Sequence, residues 1–161
     1  MRHPLLLALT CSFALGACGG SEVASLDAGF KAMQAGDYAK AVSTLDEVLG
    51  SLDKADPDYK SASMIRLQSM AHVDADQAKT EFLAMTKDGD VTARQFSDLV
   101  TELYSASKLT TAIEVLDAGI KALPGDPTIQ GLLEKAKADA LKNPDGEGAK
   151  ALEGLGYLGG E

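Results

Sequence analysis

The sequence predicts an all-α protein on three observations. Apolar residues recur at helical spacing in seven stretches. No stretch alternates with period two for long enough to form a strand. Ala, Leu, Lys, Asp and Glu dominate the composition.

The elements follow in order. The first helix is expected over 23–35, with Leu26, Phe30 and Met33 on one face. The second, over 38–52, carries the clearest stripe: Tyr38, Ala41, Val42, Leu45, Val48, Leu49 and Leu52, at i, i+3, i+4, i+7 spacing. The third and fourth span 58–73 (Tyr59, Leu67, Met70) and 75–86 (Ala78, Phe82, Met85). The fifth and sixth span 93–106 (Phe96, Leu99, Val100, Leu103) and 109–123 (Ala112, Ile113, Leu116, Ile120). The seventh covers 128–141 (Ile129, Leu132, Leu133, Ala136).

Helix ends are marked by their chemistry. Asp56-Pro57 and Asp126-Pro127 read as an N-cap acid followed by Pro at the first helical position, where its missing N–H costs nothing. Thr92 with Gln95, and Thr111 with Glu114, have capping-box spacing. Gly36 and Gly89 stand where left-handed C-caps belong. The segment 143–161 holds six Gly among the 18 residues from Pro144 onwards, and a flexible Gly-rich tail is expected there. Within it, Leu152, Leu155, Tyr157 and Leu158 form an apolar cluster. Its Leu-Gly-Tyr run is similar to a segment of some secreted bacterial sulfatase-like and repeat proteins. This cluster is expected either to dock in a groove, the chain's own or a neighbour's, or to stay disordered.

The beginning of the chain has a different character. Arg2 and His3 precede an apolar run of about ten residues, too short for a hydrocarbon core of roughly 30 Å. Such a run suits a secretory signal, to be excluded from fold reasoning. It ends in Leu15-Gly16-Ala17-Cys18, which resembles the lipobox of bacterial lipoproteins. The resemblance implies removal of 1–17, a covalent diacylglycerol and N-acyl lipid on Cys18, and a tether over 18–21. Gly19 rather than Asp after the Cys implies the outer membrane, with the body facing the periplasm. Cys11 falls in the removed segment, so Cys18 is the one cysteine of the mature chain, which forms no disulfide and no Cys-based metal site.

Removing 17 of 161 residues leaves 144, enough for one domain, expected at 22–142. Losing Arg2 takes the net charge from −9 to −10, which argues against nucleic acid and against attraction to anionic lipid. His72 is then the last histidine, which argues against His-cluster zinc sites and His-dependent triads. Its place at a helix end suits a dipole partner or simple exposure.

Paired helices call for a repeat check. Ala41, Ala78 and Ala112 align, at spacings of 37 and 34, and Leu45, Phe82 and Leu116 follow each by four. Over roughly 22–142 the chain resembles the tetratricopeptide repeat, whose period is 34. Gly29, Gly36-Asp37-Tyr38, Ala41, Leu45 and Val48 fall on its consensus in repeat one; Val100, Ala112, Leu116, Gly119 and Pro124 do so in repeat three. Repeat two departs from it, with Arg66 at a small-residue position and a compressed turn at 72–75. The resemblance implies a short solenoid of about seven helices whose first helix in each pair lines a partner groove. Leu26, Phe30 and Met33 fall on groove positions in repeat one, and Lys60, Ser63, Leu67 and Met70 in repeat two. Arg94, Ser97, Thr101 and Tyr104 do so in repeat three. Internal packing of Leu26, Phe30 and Met33 is the competing reading.

No enzyme chemistry is expected. Around Asp88-Gly89-Asp90 an EF-hand register puts Thr86, Val91 and Ser97 at essential ligand or glycine positions, so the loop is read as a solvated turn. Asp53, Asp56 and Asp58 read as helix-end charges. No metal, and no cofactor beyond the lipid, is implied. The function expected is a membrane-anchored periplasmic adaptor for an unidentified envelope protein, in the manner of pilotins and outer-membrane assembly lipoproteins. The alternatives are a self-associating structural lipoprotein without a client, and, less favoured, a small-ligand binder or enzyme.

Overall fold

The computed structural model describes residues 24–87, 89 and 91–159. The expected leader over 1–17, the expected lipid site Cys18 with its expected tether, and Asp88 and Asp90 lie outside the described residues. Among the described residues the protein is all-α, with eight helices and no strand. They are α1 (Leu26–Gln34), α2 (Tyr38–Ser51), α3 (Pro57–Val73), α4 (Ala75–Lys87), α5 (Ala93–Ser105), α6 (Leu109–Ala122), α7 (Pro127–Lys142) and α8 (Glu147–Gly154). No helix among them is long and apolar enough to cross a membrane.

Local chemistry sets each boundary. Ser25 caps α1 by accepting from the Ala28 N–H at 3.1 Å, and Gly36 ends the turn in the left-handed region at φ 78°. Asp37 then caps α2 through the Lys40 N–H. The Asp-Pro pairs behave as expected: Asp56 accepts from Asp58 and Asp126 from Thr128, each at 2.8 Å, with Pro in the first turn. Thr92 and Gln95 form a complete capping box. A single residue, Asp74, joins α3 to α4: its N–H bonds the Met70 carbonyl and its carboxylate receives the Gln77 N–H.

Two expectations are corrected. Thr111 and Glu114 do not form a capping box, because α6 already begins at Leu109 and Thr111 is buried inside it. The turn before α6 is made by Ser107 at φ 59°, so the helix starts earlier than the Thr–Glu spacing implies. The count of about seven helices becomes eight among the described residues, because the segment read as a flexible tail contains α8. Ala149 and Leu152 of α8 are buried against α6 and α7. Beyond it, the Tyr157 hydroxyl donates to Asp117 of α6 at 2.8 Å. Glycine permits the turns here, but Ala149 and Leu152 at i, i+3 spacing supply a helical apolar face.

Packing alternates between two rows. α1, α3, α5 and α7 each touch the next odd-numbered helix, and α4, α6 and α8 do likewise, while sequential pairs such as α1–α2, α3–α4 and α5–α6 form hairpins. The aligned Ala41, Ala78 and Ala112 are completely buried, as are Leu45 and Phe82. The main core runs from Met64 through Phe82, Phe96, Leu99 and Ile129 to Leu152. Phe82 and Phe96 meet edge to face, with centroids 4.9 Å apart, and tie α4 to α5. A smaller, separate cluster holds Leu45, Val48 and Ala62 under Leu26, Leu49, Leu52 and Ile65.

Candidate partner-binding cleft

The separation of the two clusters has a local cause at one register position. In α1 that position is Gly29, and a Cβ there would lie 2.5 Å from Leu45 Cγ, so the missing side chain is what lets α1 and α2 close. In α5 it is Val100, buried in the main core. In α3 it is Arg66, whose guanidinium cannot be buried unpaired. It pairs instead with Asp46 on α2 and Glu81 on α4. Burial works against the charge on Arg66, but hydrogen bonds and attraction from Glu81 and Asp46 outweigh it and hold its pKa above the ordinary value.

A cleft of about 500 Å³ opens around this bridge, between α2 and α4 and over α3. Its floor is apolar, from Leu49, Leu67 and Met85, and Lys54, Tyr59, Lys60 and Ser63 line the rest. The size falls within the range of about 300–1,000 Å³ typical of ligand pockets.

The sequence-expected groove residues lie at several places on the fold. Ser63 lines the cleft, together with Lys60 and Leu67. Leu67 and Met70 are otherwise buried, at 2% and 3% exposure, so they serve the core. Leu26 packs onto the small cluster around Leu45. Phe30, at 38% exposed, and the half-buried Met33 remain on α1. Thr101 and Tyr104 border a separate, shallow depression of about 40 Å³ with Leu132 and Lys135 of α7. Burial, reinforced by the negative charge of Asp139, pushes the Tyr104 phenol up. Arg94 is exposed and faces Asp98 at 3.9 Å, and Ser97 is half-buried beside it on α5. Of the expected groove residues, Lys60, Ser63 and Leu67 thus line the cleft, and Thr101 and Tyr104 border the depression.

No protein-family model, curated protein or solved structure matches this chain. The site stands on its own geometry. Among the described residues no group of three or more His, Cys, Asp and Glu side chains is arranged to hold a metal.

A further cluster escaped sequence reasoning. The rings of Tyr38 and His72 stack in parallel, 3.7 Å apart and 4° from coplanar. His72 Nε2 also lies 3.0 Å from Glu102 and 3.3 Å from the Ser105 hydroxyl. His72 is thus neither simply exposed nor a lone dipole partner: it links the start of α2 to α3 and α5. No sequence signal marked it, because the pairing joins the first residue of α2 to one near the end of α3 and depends on how the hairpins stack.

Proposed function

We propose that this chain is a lipid-anchored adaptor of the tetratricopeptide type, facing the periplasm and holding or assembling another envelope protein. The observation that carries the reading is the alternating two-row packing of helical hairpins, interrupted at Arg66 by a cleft of about 500 Å³. Stacked hairpins bury a continuous core between neighbours and leave an extended surface for partners. Departure from close packing at one repeat marks where such a surface has been turned to binding. Lipid on Cys18 supplies the attachment, and the acidic body stands off an anionic bilayer.

The test is photo-crosslinking in native membranes from a reactive amino acid placed at Ser63. One reproducible partner is expected, and Cys18→Ser should release the protein from the membrane fraction and end palmitate labelling. Crosslinks only between copies of this chain would instead support the second reading, a self-associating structural lipoprotein. That reading draws on Leu141 and Leu155, which are 78% and 40% exposed near the ends of α7 and α8.

A further inference from the structure

The cleft has unlike ends. At one end Arg66 brings a single positive charge to two carboxylates, Asp46 and Glu81, so an excess of one negative charge stays there. The second oxygen of Glu81 accepts from the Gln77 amide at 2.8 Å, whereas Asp46 is 51% exposed and is the carboxylate a ligand can reach. Two turns earlier on α3 stand Tyr59 and Lys60, next to the connection that carries the exposed Lys54. Lys60 already has an interaction within the protein, so Lys54 is the cation counted at this end. Its neighbours Asp53 and Asp56 accept from the Ala55 and Asp58 N–H groups, each at 2.8 Å, and neither lines the cleft. The apolar floor separates the two ends: Leu49 is one turn beyond Asp46 on α2, Met85 is one turn beyond Glu81 on α4, and Leu67 lies beneath. From Tyr59 to Arg66 the axis of α3 advances about 10 Å, at about 1.5 Å per residue.

We infer that this cleft takes an extended segment of the partner that carries a basic, an apolar and an acidic side chain at alternate positions. The basic side chain lies against Asp46, the apolar one over Leu49, Leu67 and Met85, and the acidic one against Lys54. The inference rests on the adaptor reading and names the partner's chemistry at the same site. Alternate residues of an extended chain face the same side, about 6.6 Å apart, so the first and fifth span about 13 Å. That span matches the roughly 10 Å along α3 and the further reach to Lys54, which precedes the helix. A segment of one charge sign would meet repulsion at one end of the cleft, and a purely apolar ligand would leave both ends unanswered.

The experiment measures fluorescence polarisation of the purified full-length protein with three amidated pentapeptides, each carrying fluorescein on a glycine spacer. They are Lys-Ser-Leu-Ser-Glu, Lys-Ser-Leu-Ser-Lys and Glu-Ser-Leu-Ser-Glu, with oleate as competitor. The first should bind about fivefold tighter than either of the others, since exchanging attraction for repulsion at one partly solvated pair reaches about that size. Oleate should displace none of them. Lys54→Glu should abolish the advantage over the lysine-ended peptide. Asp46→Asn, which leaves Arg66 matched to Glu81 alone, should abolish the advantage over the glutamate-ended one. Both positions are exposed, so neither change disturbs the core. Ser63→Trp, which fills the cleft, should end binding of all three, and Phe30→Ala, at a residue that does not line the cleft, should leave binding unaltered. Equal affinities, tighter binding of a like-charged peptide, or a ranking unmoved by Lys54→Glu and Asp46→Asn would overturn the inference, as would oleate binding without peptide binding. If the ranking fails while Ser63 still crosslinks to one partner, the charge assignment falls and the adaptor reading stands. If Ser63 crosslinks only to copies of this chain, or to nothing, both fall.

Discussion

The two ends of the molecule solve the same packing problem differently. From α4 to α8 the helices share one core, with Phe82, Phe96, Leu99, Leu103 and Ile129 completely buried. Around α1 and α2 the core shrinks to Leu45, Val48 and Ala62. The difference traces to equivalent positions in successive hairpins: Gly29 admits Leu45, Val100 joins the core, and Arg66 spans two carboxylates. One ionic side chain in place of a small apolar one splits the core and leaves a cleft. In this chain continuity of packing has been exchanged for a surface with mixed chemistry.

The largest test of this contrast is deletion of one large side chain on each side. Phe82→Ala removes a fully buried ring and its edge-to-face contact, and should cost about 3–5 kcal/mol in denaturant unfolding. Leu45→Ala should cost about 2–3 kcal/mol, at the low end for such changes, because a small cluster near a cleft relaxes more easily. Equal losses would argue that the two clusters form one cooperative core.

Next comes close approach. Gly29→Ala drives a Cβ into Leu45 and should destabilise by about 1–3 kcal/mol.

The docked end gives a smaller and pH-dependent effect. Burial, then the hydrogen bond and charge of Asp117, push the Tyr157 phenol up to about 12 from its ordinary 10.0. A raised pKa of this kind favours the protonated phenol in the folded state. Its stabilisation is therefore complete below pH 10 and is lost as pH rises through about 12. Tyr157→Phe should cost about 0.5–1.5 kcal/mol at neutral pH and flatten that alkaline loss, measured by thermal unfolding across the range. An unchanged alkaline profile would show that Tyr157 does not pin α8 to α6.

The smallest effect has the opposite sign. Gly50 lies within α2 with nothing within 4 Å of an added Cβ, so Gly50→Ala should stabilise by about 0.5–1 kcal/mol. Loss of stability there would contradict the open surface assigned to that side of α2.

Much of this architecture was legible because its determinants are local. Asp56-Pro57, Asp126-Pro127 and the Thr92–Gln95 box mark helix starts within three residues of chain, and the aligned alanines carry the hairpin register. What escaped depends on neighbours distant in sequence. Helix α8 was hidden because its glycines dominate the composition, while its order comes from burial of Leu152 and the Tyr157–Asp117 bond. Thr111 misled because spacing alone cannot show that Ser107 has already turned the chain. The groove positions in α3 were only half-readable. Arg66 was visible as a departure from the repeat, but its two carboxylate partners lie 20 and 15 residues away on other helices.

The central claim is that Arg66, held between Asp46 and Glu81, props α2 and α4 apart. Paired spin labels at the exposed Glu47 on α2 and the exposed Thr80 on α4 report that separation directly. Arg66→Ala combined with Asp46→Asn and Glu81→Gln removes the prop without leaving bare charges. The label distance should then shorten as the helices settle towards the packed interaxial separation of about 8–10 Å. A distance unchanged from the wild-type chain would show that the cleft is held open by something other than Arg66, and would contradict the account.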